Sequence, residues 1–188
     1  MDERDVQDKR KILNFYLEGL ENCGKSTFFN KIANKDRVDP VEFKNDSSKP
    51  IYIGVNEKIK VQLNNTEITI KDNPDAIIML YDSADENSLE FIKNRINWIK
   101  NELNFKKTPF FFLEIVAEGK ELKLHPKQFR ELFKDDNYAY IGEISLTKIS
   151  YKELENLIAD FARLVPKLES KTISIGKESK IECKGSYC

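Results

Sequence analysis

The chain has 188 residues, of which 40% are hydrophobic and 34% charged, with a net charge of −1. That length and balance point to one folded domain with a sizeable core and exclude a disordered chain. Near-neutral charge gives no global pull toward nucleic acid, so none is expected as a partner, and no apolar run approaches the ~18 residues of a membrane helix.

Residues 1–10 (MDERDVQDKR) form a charged lead-in without the apolar core of a signal peptide. Residues 11–18 (KILNFYLE) are mostly apolar and rich in β-formers, which predicts a buried strand. Residues 27–34 then place Phe28, Phe29, Ile32 and Ala33 at helical spacing. Residues 35–50 are polar, with Pro40 and Pro50, and predict a long loop. Residues 52–63 and 66–72 predict two strands, with a hairpin turn at Asn64 and Asn65. The run 76–82 (AIIMLYD) has the continuous apolar character of a central parallel strand. Leu89, Ile92, Ile96 and Ile99 predict an amphipathic helix over 88–103, its stripe widened by Phe91, Trp98 and Leu103. Residues 109–116 (PFFFLEIV) predict another buried strand, 126–134 a short helix, 138–143 a last strand and 151–165 a last helix. Strands alternating with helices predict an α/β fold: three layers around a mostly parallel sheet, with one antiparallel edge strand from the hairpin. The domain is expected over 11–168, followed by a flexible tail over 169–188.

The chemistry concentrates between the first strand and the first helix. Gly19, Leu20, Glu21, Asn22, Cys23, Gly24, Lys25 and Ser26 match G-x-x-x-x-G-K-[ST] at every fixed position. Glycines let the backbone wrap a phosphate without Cβ clashes. Consecutive N–H groups at a helix N-terminus then make an anion-binding nest. Lys25 supplies charge to β- and γ-phosphates, and the Ser26 hydroxyl can join a Mg²⁺ shell. Cys23, inside the loop, is read as a small filler.

With that loop and strand order in place, the chain resembles the Ras-superfamily small GTPases over roughly residues 11–168, nearest to their Arf and Rab branches. GLENCGKST, which includes Thr27, looks like the Arf phosphate loop. Ile53-Gly54-Val55-Asn56 looks like the strand after switch I, Tyr81-Asp82-Ser83-Ala84-Asp85 like the family's segment written DSAD in Arf relatives, and Glu143-Ile144-Ser145 like the start of the base-recognition segment. The resemblance implies a P-loop NTPase G-domain that binds GTP or GDP with Mg²⁺. It carries Ser26 and Asp72 over as metal ligands, and Glu121 and Ser145 as contacts to the guanine. It also implies protein effectors or regulators as partners in a membrane-traffic or signalling switch, in the cytoplasm or on the cytosolic face of a membrane.

The departures define what kind of member this would be. Tyr52 stands where the family offers a Mg²⁺-binding Thr. The D-x-x-G segment reads Asp72-Asn73-Pro74-Asp75, and the next strand follows at once, so the switch II helix and its water-orienting glutamine are missing. Glu118-Gly119-Lys120-Glu121 replaces N-K-x-D, and Glu121 alone retains a carboxylate at the guanine-reading position. No catalytic residue is assigned, and any hydrolysis is expected to be slow. Two alternatives stand beside this reading: a pseudo-GTPase scaffold acting through protein contacts, and a P-loop nucleotide kinase, which the lack of an Arg-rich lid disfavours. Cys23, Cys183 and Cys188 have neither metal-ligand nor disulfide-framework spacing, which fits a reducing compartment. The terminal cysteines fit no standard prenylation box, and membrane association through a lipid on Cys188 is a separate hypothesis. His125, the single histidine, is read as structural.

Overall fold

A computed structural model of the chain describes residues 10–33, 49–82, 84–85, 87–116 and 138–171. Its elements are β1 (Lys11–Gly19), α1 (Lys25–Ala33), β2 (Ile51–Gly54), β3 (Ile59–Asn64), β4 (Ala76–Asp82), α2 (Asn87–Asn101), β5 (Phe110–Ile115), β6 (Tyr138–Ile144) and α3 (Tyr151–Lys171). The strands form one six-stranded sheet in the order β2-β3-β1-β4-β5-β6. All neighbouring pairs are parallel except β2 with β3, so the sheet has one antiparallel edge strand, made by residues 51–54 rather than by the expected pairing of 52–63 with 66–72.

The parallel strands read as continuous apolar runs because both faces of the sheet are covered. On one face α1 and α3 contribute Phe28, Phe29, Ile32, Leu154, Ile158 and Phe161 to a core with Leu13, Phe15, Leu17, Ile78, Leu80, Phe111 and Leu113. Within it the Phe111 and Phe161 rings stack at 4.6 Å and 7°. On the other face α2 buries Ile92, Ile96 and Ile99 against Tyr16, Ile77, Met79, Tyr81, Phe110 and Phe112. Helices on both faces are consistent with a three-layer α/β domain.

Two expectations need correction. The hairpin turns at residues 55–58, not at Asn64 and Asn65. The Asn56 side-chain oxygen accepts from the amides of Lys58 at 2.8 Å and Ile59 at 2.9 Å, the local bond by which asparagine stabilises a turn. Asn64 instead ends β3 buried, its side-chain NH₂ donating to the Phe15 carbonyl at 3.0 Å. Residues 66–72 are not a strand. The connection from β3 to β4 crosses from one end of the sheet to the other as an irregular strap that buries Ile68 and leaves Ile70 exposed. A parallel crossover is usually helical, so the strap stands where a helix is ordinary.

The last helix also runs past its expected end at Val165, through Pro166. Pro166 lies exposed, so its ring faces solvent rather than the core, and the helix carries on around it. The expected loop at 35–50 falls mostly outside the described residues. The helix at 126–134, His125, Glu121 and the terminal Cys183 and Cys188 fall wholly outside them.

Candidate functional site

The sheet order fixes where a ligand crevice belongs. From β1 the chain moves to one side, through α1 to β2 and β3, and then to β4 on the other side of β1. That reversal is a topological switch point, and open α/β sheets bind ligands beyond the C-terminal strand ends there. The Gly19-to-Ser26 loop leaves β1 at that point and runs into α1.

The loop geometry follows from its residues. Gly19 ends β1 opposite Leu80, and a Cβ there would lie 2.4 Å from the Leu80 carbonyl oxygen and 2.6 Å from Cys23 Sγ. Asn22 and Gly24 adopt positive φ values of 64° and 96°, a conformation open to glycine and tolerated by asparagine. The Cys23 amide donates to the Leu20 carbonyl at 3.3 Å, and the Phe28 amide to the Gly24 carbonyl at 2.8 Å, which starts α1. The N–H groups of the first helical turn, which have no partner within the helix, and the positive end of the helix dipole therefore face the loop. Lys25 folds back over it, its ammonium donating to the carbonyls of Gly19 at 2.5 Å and Leu20 at 2.9 Å. Ser26 and Thr27 are exposed in the same turn. Cys23 is buried, and burial pushes its thiol pKa up, with Asp82 adding to this and Lys25 opposing it.

A cavity of about 310 Å³ opens beside the loop, lined by Glu21, Asn22, Cys23, Asp82, Ala84 and Asp85. Parallel pairing brings the end of β4 there, so Asp82 and Asp85 meet the loop across more than fifty residues of sequence. Both carboxylates shape their own turn: Asp82 accepts from the Ala84 amide at 2.9 Å and Asp85 from the Asn87 amide at 3.0 Å. The sequence placed this segment only within a family likeness; its position at the end of a buried strand was the signal that it borders the loop. Among the described residues no group of three or more acidic, histidine or cysteine side chains is arranged to hold a metal ion by itself.

The remaining expected site residues divide. The turn after β6 comes to the loop: Lys31 on α1 donates to the Leu146 carbonyl at 2.8 Å, and Leu146 packs over Gly24. Ser145 sits in that turn with its hydroxyl 2.8 Å from that of Thr147. Asp72 does not come to the loop. It lies in the strap before the N-terminal end of β4, whereas the loop follows the C-terminal end of β1. Its carboxylate accepts from the Tyr16 hydroxyl at 2.7 Å, the Thr69 amide at 2.6 Å and the Thr69 hydroxyl at 2.9 Å. Tyr52, on edge strand β2, donates to Gln62 at 3.0 Å and carries Lys60 over its ring.

No protein-family model matches the chain, and no curated protein matches it. Its chemistry therefore rests on the loop and its neighbours. A glycine-shaped turn, a helix N-terminus and a lysine suit a phosphate group. The three carboxylates lining the cavity set a limit on it, because a bare polyphosphate beside Glu21, Asp82 and Asp85 is repelled. Among the described residues no helix is long and apolar enough to cross a membrane.

Proposed function

We propose that the chain is an atypical guanine-nucleotide-binding protein of the Ras-superfamily type, with weak or absent hydrolysis. The observation that carries this reading is the place of the Gly19-to-Ser26 loop, at the N-terminus of α1 and at the sheet's switch point. Lys25 would exchange the Gly19 and Leu20 carbonyls for phosphate oxygens, a stronger, charge-assisted pairing. The Ser26 hydroxyl would join the shell of Mg²⁺, which neutralises phosphate charge when bound with the nucleotide. The Ser145–Lys148 turn, pinned to α1 by Lys31, would border the base. Protein effectors or regulators are the partners this reading carries, on the cytosolic side of the cell. Lipidation of Cys188 is a separate proposal that mass spectrometry of native protein decides.

Asp72 is not carried into this reading as a metal ligand, because its hydrogen bonds commit it to the strap. The same observation favours a second reading, a pseudo-GTPase scaffold that holds nucleotide constitutively or not at all. The test measures binding of labelled GDP, GTP and ATP to wild type and Lys25→Ala, with and without Mg²⁺, followed by phosphate release. Guanine-nucleotide binding that needs both Lys25 and Mg²⁺ supports the first reading. No binding by folded wild type supports the scaffold. Fast phosphate release contradicts the absence of a hydrolytic apparatus.

A further inference from the structure

Glu18 is the residue before Gly19, so its side chain leaves β1 at the base of the phosphate loop. It is 6% exposed, on the sheet face that α2 covers. A carboxylate there is costly unless paired and fully hydrogen-bonded. Arg95 of α2, 77 residues away in sequence, meets both requirements. Its Nε donates to Glu18 Oε2 at 3.0 Å and its Nη2 to Oε1 at 2.9 Å, a two-pronged pairing that fixes both side chains. The guanidinium also lies 4.2 Å from the ring centre of Trp98, and 3.7 Å from the Glu67 carboxylate on the strap. Arg95 therefore ties β1, α2 and the strap together directly below the loop.

We propose that Arg95 is a positioning residue for the phosphate loop, acting by holding and neutralising the Glu18 carboxylate. The loop has no slack at this point, since Leu80 and Cys23 close the space around Gly19. A displacement of Glu18 would pass to the Gly19 and Leu20 carbonyls that hold Lys25. An unpaired carboxylate at Glu18 would also add to the negative charge of Glu21, Asp82 and Asp85, which a phosphate must already overcome. Charge acting across the open side of the loop is screened by salt, so this effect is largest at low ionic strength. The inference rests on phosphate binding at this loop, and it names a residue that the loop's own sequence pattern does not contain.

The test compares affinity for labelled GDP with Mg²⁺ in wild type, R95M, E18Q and the double variant E18Q/R95M, using the full chain. Thermal melts establish which variants fold. R95M is expected to bind about tenfold more weakly at unchanged fold, and the double variant to return to within about threefold of wild type. E18Q removes one negative charge from the base of the loop while Arg95 keeps its own, and is expected to bind about threefold tighter at low salt, with the gain fading at high salt. Equal binding by R95M and wild type overturns the proposal. Equal or weaker binding by E18Q at low salt also overturns it, because a pair acting only as a strut would be harmed by either substitution. E18Q thus decides the matter even if R95M does not fold. Absence of binding by folded wild type defeats the nucleotide-binding reading itself, and this proposal with it.

Discussion

Asn14 and Asp75 hold each other twice: the Asn14 amide donates to the Asp75 carboxylate at 2.8 Å, and the Asp75 amide donates to the Asn14 carbonyl at 2.9 Å. This exchange sets β4 beside β1 and accounts for an aspartate where the D-x-x-G pattern has a glycine. Asp75 ends a structural strap at the far end of the sheet. Asp75→Ala leaves a partly buried amide without its acceptor and is expected to cost about 1–2 kcal/mol. Chemical denaturation measures that cost. Affinity for labelled GDP should stay within about twofold of wild type, since the loop is at the opposite strand ends; a large loss would mean that Asp75 acts at the phosphate site.

The strap is also latched by Tyr16 and Asp72, and the latch predicts a pH response. Burial alone would raise the Asp72 pKa, but hydrogen bonds from the Thr69 amide, the Tyr16 hydroxyl and the Thr69 hydroxyl outweigh it, and the net shift is downward. A carboxyl with a lowered folded pKa stabilises above its unfolded value and loses that contribution as pH falls through the folded one. Tyr16 moves the other way, raised by burial and then by its bond to Asp72 and that group's charge. Its contribution is complete below the ordinary tyrosine value and is lost as pH rises through the folded one. Wild-type stability should therefore fall at both extremes. Asp72→Asn should flatten the acid limb below about pH 4 by about 1 kcal/mol, a figure discounted for solvent screening. Melts from pH 3 to 7 that stay parallel for the two proteins would dispose of the latch.

The elements legible in the sequence were those whose own residues settle their state. The apolar runs of β1, β4 and β5 are buried on both faces, and the repeat of Ile92, Ile96 and Ile99 faces one core. The hairpin was misplaced because two adjacent asparagines resemble a turn when local chemistry alone is weighed. Asn64 prefers the Phe15 carbonyl across the sheet, and Asn56 makes the turn. The strap looked like a strand because Ile68 and Ile70 alternate, yet only Ile68 finds a core. The site shows the same division. The loop is contiguous, so its pattern is visible, and Lys25 folds onto its own loop. Asp82 and Asp85 border the loop through strand register, for which the buried run of β4 is the only sign in the sequence, and Arg95 meets Glu18 through helix packing that no local pattern reports.

α3 starts with a reciprocal cap. The Ser150 hydroxyl accepts from the Glu153 amide at 3.2 Å, and the Glu153 carboxylate accepts from the Ser150 amide and hydroxyl, both at 2.7 Å. This S-x-x-E box satisfies donors that the first helical turn leaves open. The Ser150 hydroxyl and then its amide hold the Glu153 pKa below the usual value. Ser150→Ala is expected to lower the melting temperature by about 2–4 °C. Ser150→Asp, which keeps an acceptor at the cap, should restore most of that loss. Equal melting of all three proteins would show that packing of Leu154, Ile158 and Phe161 alone holds the helix.

Gly19 gives the strictest prediction about the loop, because the obstacle around it is backbone. An alanine Cβ would meet the Leu80 carbonyl oxygen at 2.4 Å and Cys23 Sγ at 2.6 Å, at a φ of 153° that side-chain-bearing residues rarely adopt. The sulfur can be removed by Cys23→Ala, but Leu80 is fully buried in the central strand β4 and its carbonyl cannot yield without moving the sheet. Gly19→Ala should therefore cost at least about 2 kcal/mol, and Cys23→Ala should not rescue it. Gly24 offers the contrast. Its Cβ would meet the flexible end of Leu146 at 2.9 Å, so Leu146→Ala should recover part of the loss in Gly24→Ala, leaving the strain of a positive φ. Urea denaturation of the four single and two double variants separates the cases. Rescue of Gly19→Ala by Cys23→Ala would mean that the side chain, not the strand beside it, sets the path of the loop.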